Sequence, residues 1–147
     1  MEINKELLES LLAEAKENPR LRQNFDLRTS SADTSQRMLN ALHPQTEVPI
    51  HRHEKTAETV ICLVGKLEEI IYEEVNEYVH ETTSCCDDVI KKSFKEVSRQ
   101  ILSPAEGKYG IQIPAGAWHT INVIEPSVIF EAKDGAYNES RNTTDKE

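Results

Sequence analysis

Two separated stretches constrain this chain more than anything else in it: His51-Arg52-His53 with Glu58 beyond, and His119. Three imidazoles and one carboxylate are donor types that proteins offer a divalent transition metal. Successive side chains on an extended backbone alternate between faces, so His51 and His53 leave by the same one. Unbroken alternation would send Glu58 to the opposite face, and a turn at Glu54-Lys55-Thr56 resets it. Beyond that turn Glu58 shares parity with Val60, Cys62 and Val64, an apolar series that must point inward. A carboxylate heading a buried apolar series needs a partner, and a metal supplies one. Gly65 is read as the turn that ends this strand.

The second stretch obeys the same arithmetic. Ile111-Gln112-Ile113 leads into Pro114-Ala115-Gly116, a β-turn signal, after which His119 shares parity with Ile121 and Val123. One histidine alone reads as an ordinary core or surface residue. Four donors in register predict a single buried site inside a closed sheet, with His51, His53, Glu58 and His119 as metal ligands. Cys62 shares the inward face and is read as core packing.

A chain of 147 residues can form one domain with a core of its own. With 17 Lys and Arg against 26 Asp and Glu, its formal charge is −9. That balance argues against a nucleic-acid or anionic-membrane partner, since both need a basic surface. It leaves room for a small anionic ligand held by a few local arginines. No window approaches the roughly 18 consecutive apolar residues of a membrane span. The start, Met1-Glu2-Ile3-Asn4-Lys5-Glu6, has no secretory pattern, and the three cysteines form no Cys-x-x-Cys pair. A reducing cytoplasm is the expected compartment.

Taken in order, the chain divides into an N-terminal helix (1–19), a β-rich domain (20–137) with an insertion near 76–95, and a polar tail (138–147) expected to be disordered. Ile3, Leu7, Leu8, Leu11, Leu12 and Ala15 recur at helical spacing over 3–17, with Asn4 as N-cap and Asn18-Pro19 as the stop. Residues 20–28 alternate as a strand: Leu21, Phe25 and Leu27 on one face, Arg20, Arg22, Asn24 and Arg28 on the other. That polar face is either simply solvated or turned toward a bound anion, which the planar guanidinium suits.

Residues 36–43 predict a second strand, ending at His43-Pro44, where His43 is read as a loop residue and not a ligand. Glu68 to Val79 reads as a strand pair or one long strand. His80 to Lys95 reads as an insertion with helical character. It carries Cys85-Cys86-Asp87-Asp88, but adjacent cysteines point apart and are poorly placed to share an ion. Strands follow at 97–102 and 121–124, then a turn at Glu125-Pro126 and a last strand from Val128 to Lys133.

These residues resemble the cupin signature. Its first motif is a glycine, two histidines one residue apart, a glutamate and a closing glycine; His51, His53, Glu58 and Gly65 match, with Gln45 in the opening glycine's place. Its second is a glycine, then proline, glycine, histidine and asparagine; Pro114, Gly116 and His119 match, Lys108 replaces the first glycine, and Asn122 comes one residue early. The chain is also similar to the WbuC-type cupin-fold metalloproteins, in Gln36 to Leu42, Ile113 to Thr120 and Glu131 to Tyr137. The resemblance implies an all-β double-stranded β-helix, or jelly-roll barrel, with an added N-terminal helix. It also implies a homodimer and an association with surface-polysaccharide (O-antigen) gene clusters.

Such a site holds one divalent transition metal (Fe, Mn, Ni, Co or Zn), and affinity order alone does not choose among them. Three uses stay open. One is an enzyme, such as an isomerase or epimerase, acting on a sugar-linked or anionic small molecule. There Arg20, Arg22, Arg37 and Tyr137 are the candidate substrate-binding residues, and Tyr72, Tyr109 or Tyr137 could move a proton. The second is an Fe(II)-dependent dioxygenase, and the third a non-catalytic metal- or ligand-binding module.

Overall fold

The computed structural model describes residues 1–79, 89–135 and 141–142. Helix α1 (Lys5–Glu17) begins at Asn4, whose side chain accepts a hydrogen bond from the Leu7 N–H, and ends at Asn18. The strands are β1 (Arg22–Asp26), β2 (Ser35–Leu42), β3 (His51–Arg52), β4 (Glu58–Val79) and β5 (Val89–Leu102), then, after a 3₁₀ turn at Pro104–Glu106, β6 (Gly110–Ile113), β7 (Trp118–Asp134) and β8 (Arg141–Asn142). Every strand pairing among the described residues is antiparallel. The architecture is all-β with one helix, as the sequence predicts, and no helix among the described residues is long and apolar enough to cross a membrane.

Two long strands organise the sheet. From Glu58 to Tyr72, β4 pairs with β7, and the register slips repeatedly between Cys62 and Leu67, opposite Glu125 and Val128. At this corner Gly65 takes φ +94°, and any Cβ there would collide with the Pro126 carbonyl and Ser127. Only glycine fits such an approach. Two expectations are corrected here. Gly65 and Glu125-Pro126 do not end strands; both strands run on through a bend, because bulges let a ladder turn without breaking.

The bulges also change which residues point inward. Glu58, Val60 and Cys62 are buried as expected, but Val64 is 40% exposed, and beyond the corner the buried residues include Leu67, Glu69 and Ile70. The helical character expected for His80 to Lys95 is corrected over its described part. Val89–Leu102 is a strand that returns along one unbroken β4 to Val79, with Tyr78 opposite Ile90. The Cys85-Cys86 pair and His80 lie outside the described residues. So does most of the tail, although Arg141–Asn142 pairs with β3.

Alternation sorts the side chains into two cores. On the outer face of β1, β2 and β7, Leu39, Ala41, Val128, Phe25 and Phe130 pack with Leu11 and Ala15 of α1, so the helix stripe is covered by the sheet. His43 ties the two layers together, with Nε2 2.8 Å from the Leu12 carbonyl oxygen. Inside the barrel, Leu42, Val60, Cys62, Leu67, Leu102, Ile113, Val123 and Ile129 fill one end. The other end of the interior is polar.

Candidate metal centre

That polar end gathers the four predicted donors. The ligand atoms of His51, His53, Glu58 and His119 all lie within 4.8 Å of one another. His51 stands directly opposite His119 where β3 pairs with β7, and their ring centroids are 4.2 Å apart. His53 follows on the same face, while Arg52 between them turns away and lies over the Trp118 ring, 4.6 Å from its centroid. Glu58 opens β4, with Oε2 2.8 Å from His53 Nε2 and 3.6 Å from His119 Nε2.

Local backbone bonds set the ring orientations. His51 Nδ1 lies 2.8 Å from the Pro49 carbonyl oxygen, and His119 Nδ1 lies 2.9 Å from that of Ala117. A carbonyl can only accept, so both Nδ1 atoms carry the proton and both Nε2 atoms present a lone pair to the centre. The two halves are also tied to each other. The Gly116 N–H, in the Pro-Ala-Gly turn, donates to the His53 carbonyl at 2.7 Å, and the Thr120 hydroxyl donates to the Val48 carbonyl.

The donor chemistry fits a divalent transition ion. His119 Nε2 is buried and makes no hydrogen bond, an orphan that a metal would satisfy. Burial, reinforced by the neighbouring His119, pushes His51 down to about 4, so its ring is neutral near neutral pH. Burial alone would raise the Glu58 pKa, but the His119 and His53 imidazoles beside it outweigh burial and hold the carboxyl down at about 2. Neutral imidazoles and an ionised carboxylate are the states that bind metal.

A cavity of about 190 Å³ opens beside these donors. A single water needs roughly 10–15 Å³ by a comparable measure, so there is room for a small ligand or several waters. Arg20, Arg22 and Asn24 line it, so the polar face of the first strand looks into the barrel. Arg37 projects from the other face of β2 into an ion pair with Asp33 at 2.6 Å and is not among the lining residues. Tyr137 lies outside the described residues. Tyr109 is 62% exposed, and neither it nor Tyr72 lines the cavity. Cys62 is buried in the apolar core, its thiol pushed up to about 11 by burial.

Two acidic lining residues are not among the candidates read from the sequence: Glu69 and Glu131. Burial, then the charges of Glu58 and Glu131, pushes the Glu69 carboxyl well above the ordinary range. Burial and Glu58 push Glu131 up to about 8, against the opposing hydrogen bond of Asn40. For Glu131 the available signal was an acid set between Phe130 and Ala132; Glu69, beside Glu68, offered none.

Comparison with solved structures places the fold. The chain is similar to TT1209 from Thermus thermophilus, at 20% identity and a TM-score of 0.58, covering 92% of this chain and 98% of that one. It is similar to Rru_A2000 from Rhodospirillum rubrum, a cupin-2 domain, at 13% identity and 0.52, covering 84% of this chain and 66% of that one. A third is a sugar phosphate isomerase from a cupin superfamily, SPO2919 from Silicibacter pomeroyi, at 14% identity and 0.52, covering 78% and 60%. The chain thus spans under two thirds of the last two structures. At these identities the likeness is one of fold, the jelly-roll barrel of the cupin superfamily. A comparison with curated proteins gives no match. Residues 3–84, more than half of the chain, match the family model described as a domain of unknown function, DUF6016, and the chain belongs to that family.

Proposed function

We propose that this protein is a metal-dependent enzyme acting on a sugar or a sugar-linked surface-polysaccharide intermediate, of the isomerase or epimerase kind. The observation that carries the reading is four donor atoms within 4.8 Å of one another beside a polar cavity. His51, His53, Glu58 and His119 hold the ion, which when bound supplies Lewis acidity toward a carbonyl or hydroxyl oxygen. The remaining work falls to the chain itself. Arg20 and Arg22 orient an anionic group of the substrate, and the barrel walls limit access of water to the reacting end. The sugar class is supported by the description of the Silicibacter neighbour as a sugar phosphate isomerase. It is also supported by the resemblance of Ile113 to Thr120 to the WbuC-type proteins. A cytoplasmic homodimer is the form in which we expect it to act.

The test is conversion of a panel of sugar phosphates and nucleotide sugars, followed by NMR. The full chain is loaded in turn with Fe(II), Mn(II), Ni(II), Co(II) and Zn(II). Metal-dependent conversion that disappears in His119→Ala is expected; a loaded protein that neither binds nor converts any member overturns the reading. A second reading, an Fe(II)-dependent dioxygenase, is favoured by the donor count, since four protein ligands leave one or two positions open. It predicts oxygen uptake that requires both iron and an organic substrate.

A further inference from the structure

Part of the cavity wall, outside the proposed metal ligands, has an unusual chemistry. Glu69 is only 1% exposed, and both of its carboxyl oxygens are buried without a hydrogen-bond partner. Gln36, 5% exposed, has an equally orphaned Oε1, and Asn40 an orphaned Oδ1. All three line the cavity. Folded proteins rarely leave buried polar atoms unpaired, and where they do, an unseen partner is the usual reason. Four orphaned oxygens in one lining want hydrogen-bond partners, and they are spread over two strands, β2 and β4.

The chemistry of the missing partner follows from the rest of the lining. It must bring several hydroxyl or amine donors, but the wall also carries Met38 and Ile121, which suit C–H surface. Arg20 and Arg22 lie on the same lining, from the segment leading into β1 and from β1 itself. They oppose a purely cationic polyamine and favour a group of negative charge. We propose that Glu69, Gln36 and Asn40 form a hydroxyl-reading wall for a polyhydroxylated ligand whose anionic group is held by Arg20 and Arg22: a sugar phosphate or sugar acid. The assignment rests on the proposed function above and names the substrate class and the specificity-determining residues of the same site. It explains why a barrel interior keeps acceptors that an apolar core would exclude. A site built to hydrogen-bond hydroxyls rejects analogues that lack them, because its own buried groups are then left unpaired.

Calorimetric titration of the full chain tests this, using glucose 6-phosphate, glucuronate, n-hexyl phosphate and glucose as probes. Metal content is measured in each sample, and metal-free and Zn(II)-loaded protein are titrated side by side. At least one charged sugar is expected to bind more tightly than hexyl phosphate and glucose by on the order of tenfold or more. In Glu69→Leu and Gln36→Leu that margin should vanish while hexyl phosphate binding stays unchanged. Arg20→Ala with Arg22→Ala should weaken every anionic probe and leave glucose unaffected. Near-UV circular dichroism checks each fold, and Glu69→Gln, which keeps the side-chain shape, should show a reduced margin if the leucine variant does not fold. Equal affinity for the sugars and hexyl phosphate, binding of none of the probes, or a margin that survives in the Leu variants overturns the proposal. None of the three wall residues is a proposed metal ligand, so the same ordering is expected without metal. Failure to load metal and failure of the wall are therefore read separately.

Discussion

His51 and His119 face each other across β3 and β7, and each is held by the same device, an Nδ1–H donated to the backbone carbonyl two residues earlier. The pair thus presents two fixed Nε2 lone pairs from opposite halves of the motif. Removing either ring takes one of four donors and leaves the other ring's carbonyl bond intact. His51→Ala and His119→Ala should each weaken Zn(II) binding by more than the roughly 10–100-fold typical of losing an outer-shell partner. Competition against a chromophoric chelator measures it, and an affinity unchanged in both variants would rule the centre out.

Metal loading should also stabilise the fold, because no preformed site exists in the unfolded chain. An ion at about a thousand times its Kd adds about 4 kcal/mol. For a domain of this size that is a rise in Tm on the order of 10 °C. A thermal melt with and without chelator reads it directly.

Glu69 should trade stability for function. Its carboxyl is buried and unpaired, which costs about 1–3 kcal/mol. Glu69→Leu in ligand-free protein is therefore expected to be more stable than the natural chain by about that amount in urea denaturation. A less stable variant would mean that the carboxyl has a partner holding the fold together.

Glu131 makes stability depend on pH in the opposite sense from an ion-paired carboxylate. Its pKa is raised from 4.5 to about 8, so over that interval the folded state holds a proton that the unfolded state has lost. Stability should fall as pH rises through this window, with Glu69, also raised, adding to the fall in the same sense. Glu131→Gln should reduce that slope and leave the part that Glu69 contributes. Part of the shift comes from the charge of Glu58, so metal loading should flatten it too. Melts between about pH 5 and pH 9 compare the three samples.

Gln45 stands where the resembled motif has glycine, and its φ is +74°, in the left-handed region. The backbone keeps the conformation that glycine would take freely, and the side chain bears the strain. Gln45→Gly is expected to be stabilising by up to about 1 kcal/mol, the relief of strain being partly offset by a more flexible unfolded chain. Destabilisation by more than that, in urea titration, would show that the Gln45 side chain makes a contact of its own.

The local signals were fully legible. Asn4, the apolar spacing of α1 and Asn18-Pro19 define a helix without reference to anything distant, since caps and periodicity act within a few residues. The grouping of His51, His53, Glu58 and His119 was legible for a related reason. Each lies close to a turn, and strand parity carries orientation reliably over so short a run. Parity failed where the chain bends. Counted from Glu58 it sends Glu68 inward, yet Glu68 lies on the outside, bonded to Arg99 and Asn122, and Glu69 is the one buried. The bulges around Gly65 make that exchange, and they exist because β4 must round a corner against Pro126 and Ser127, far away in sequence. The chain alone determined its helix and the grouping of its three histidines with Glu58. Which acidic residue enters the barrel beside them was decided by the closure of two long strands.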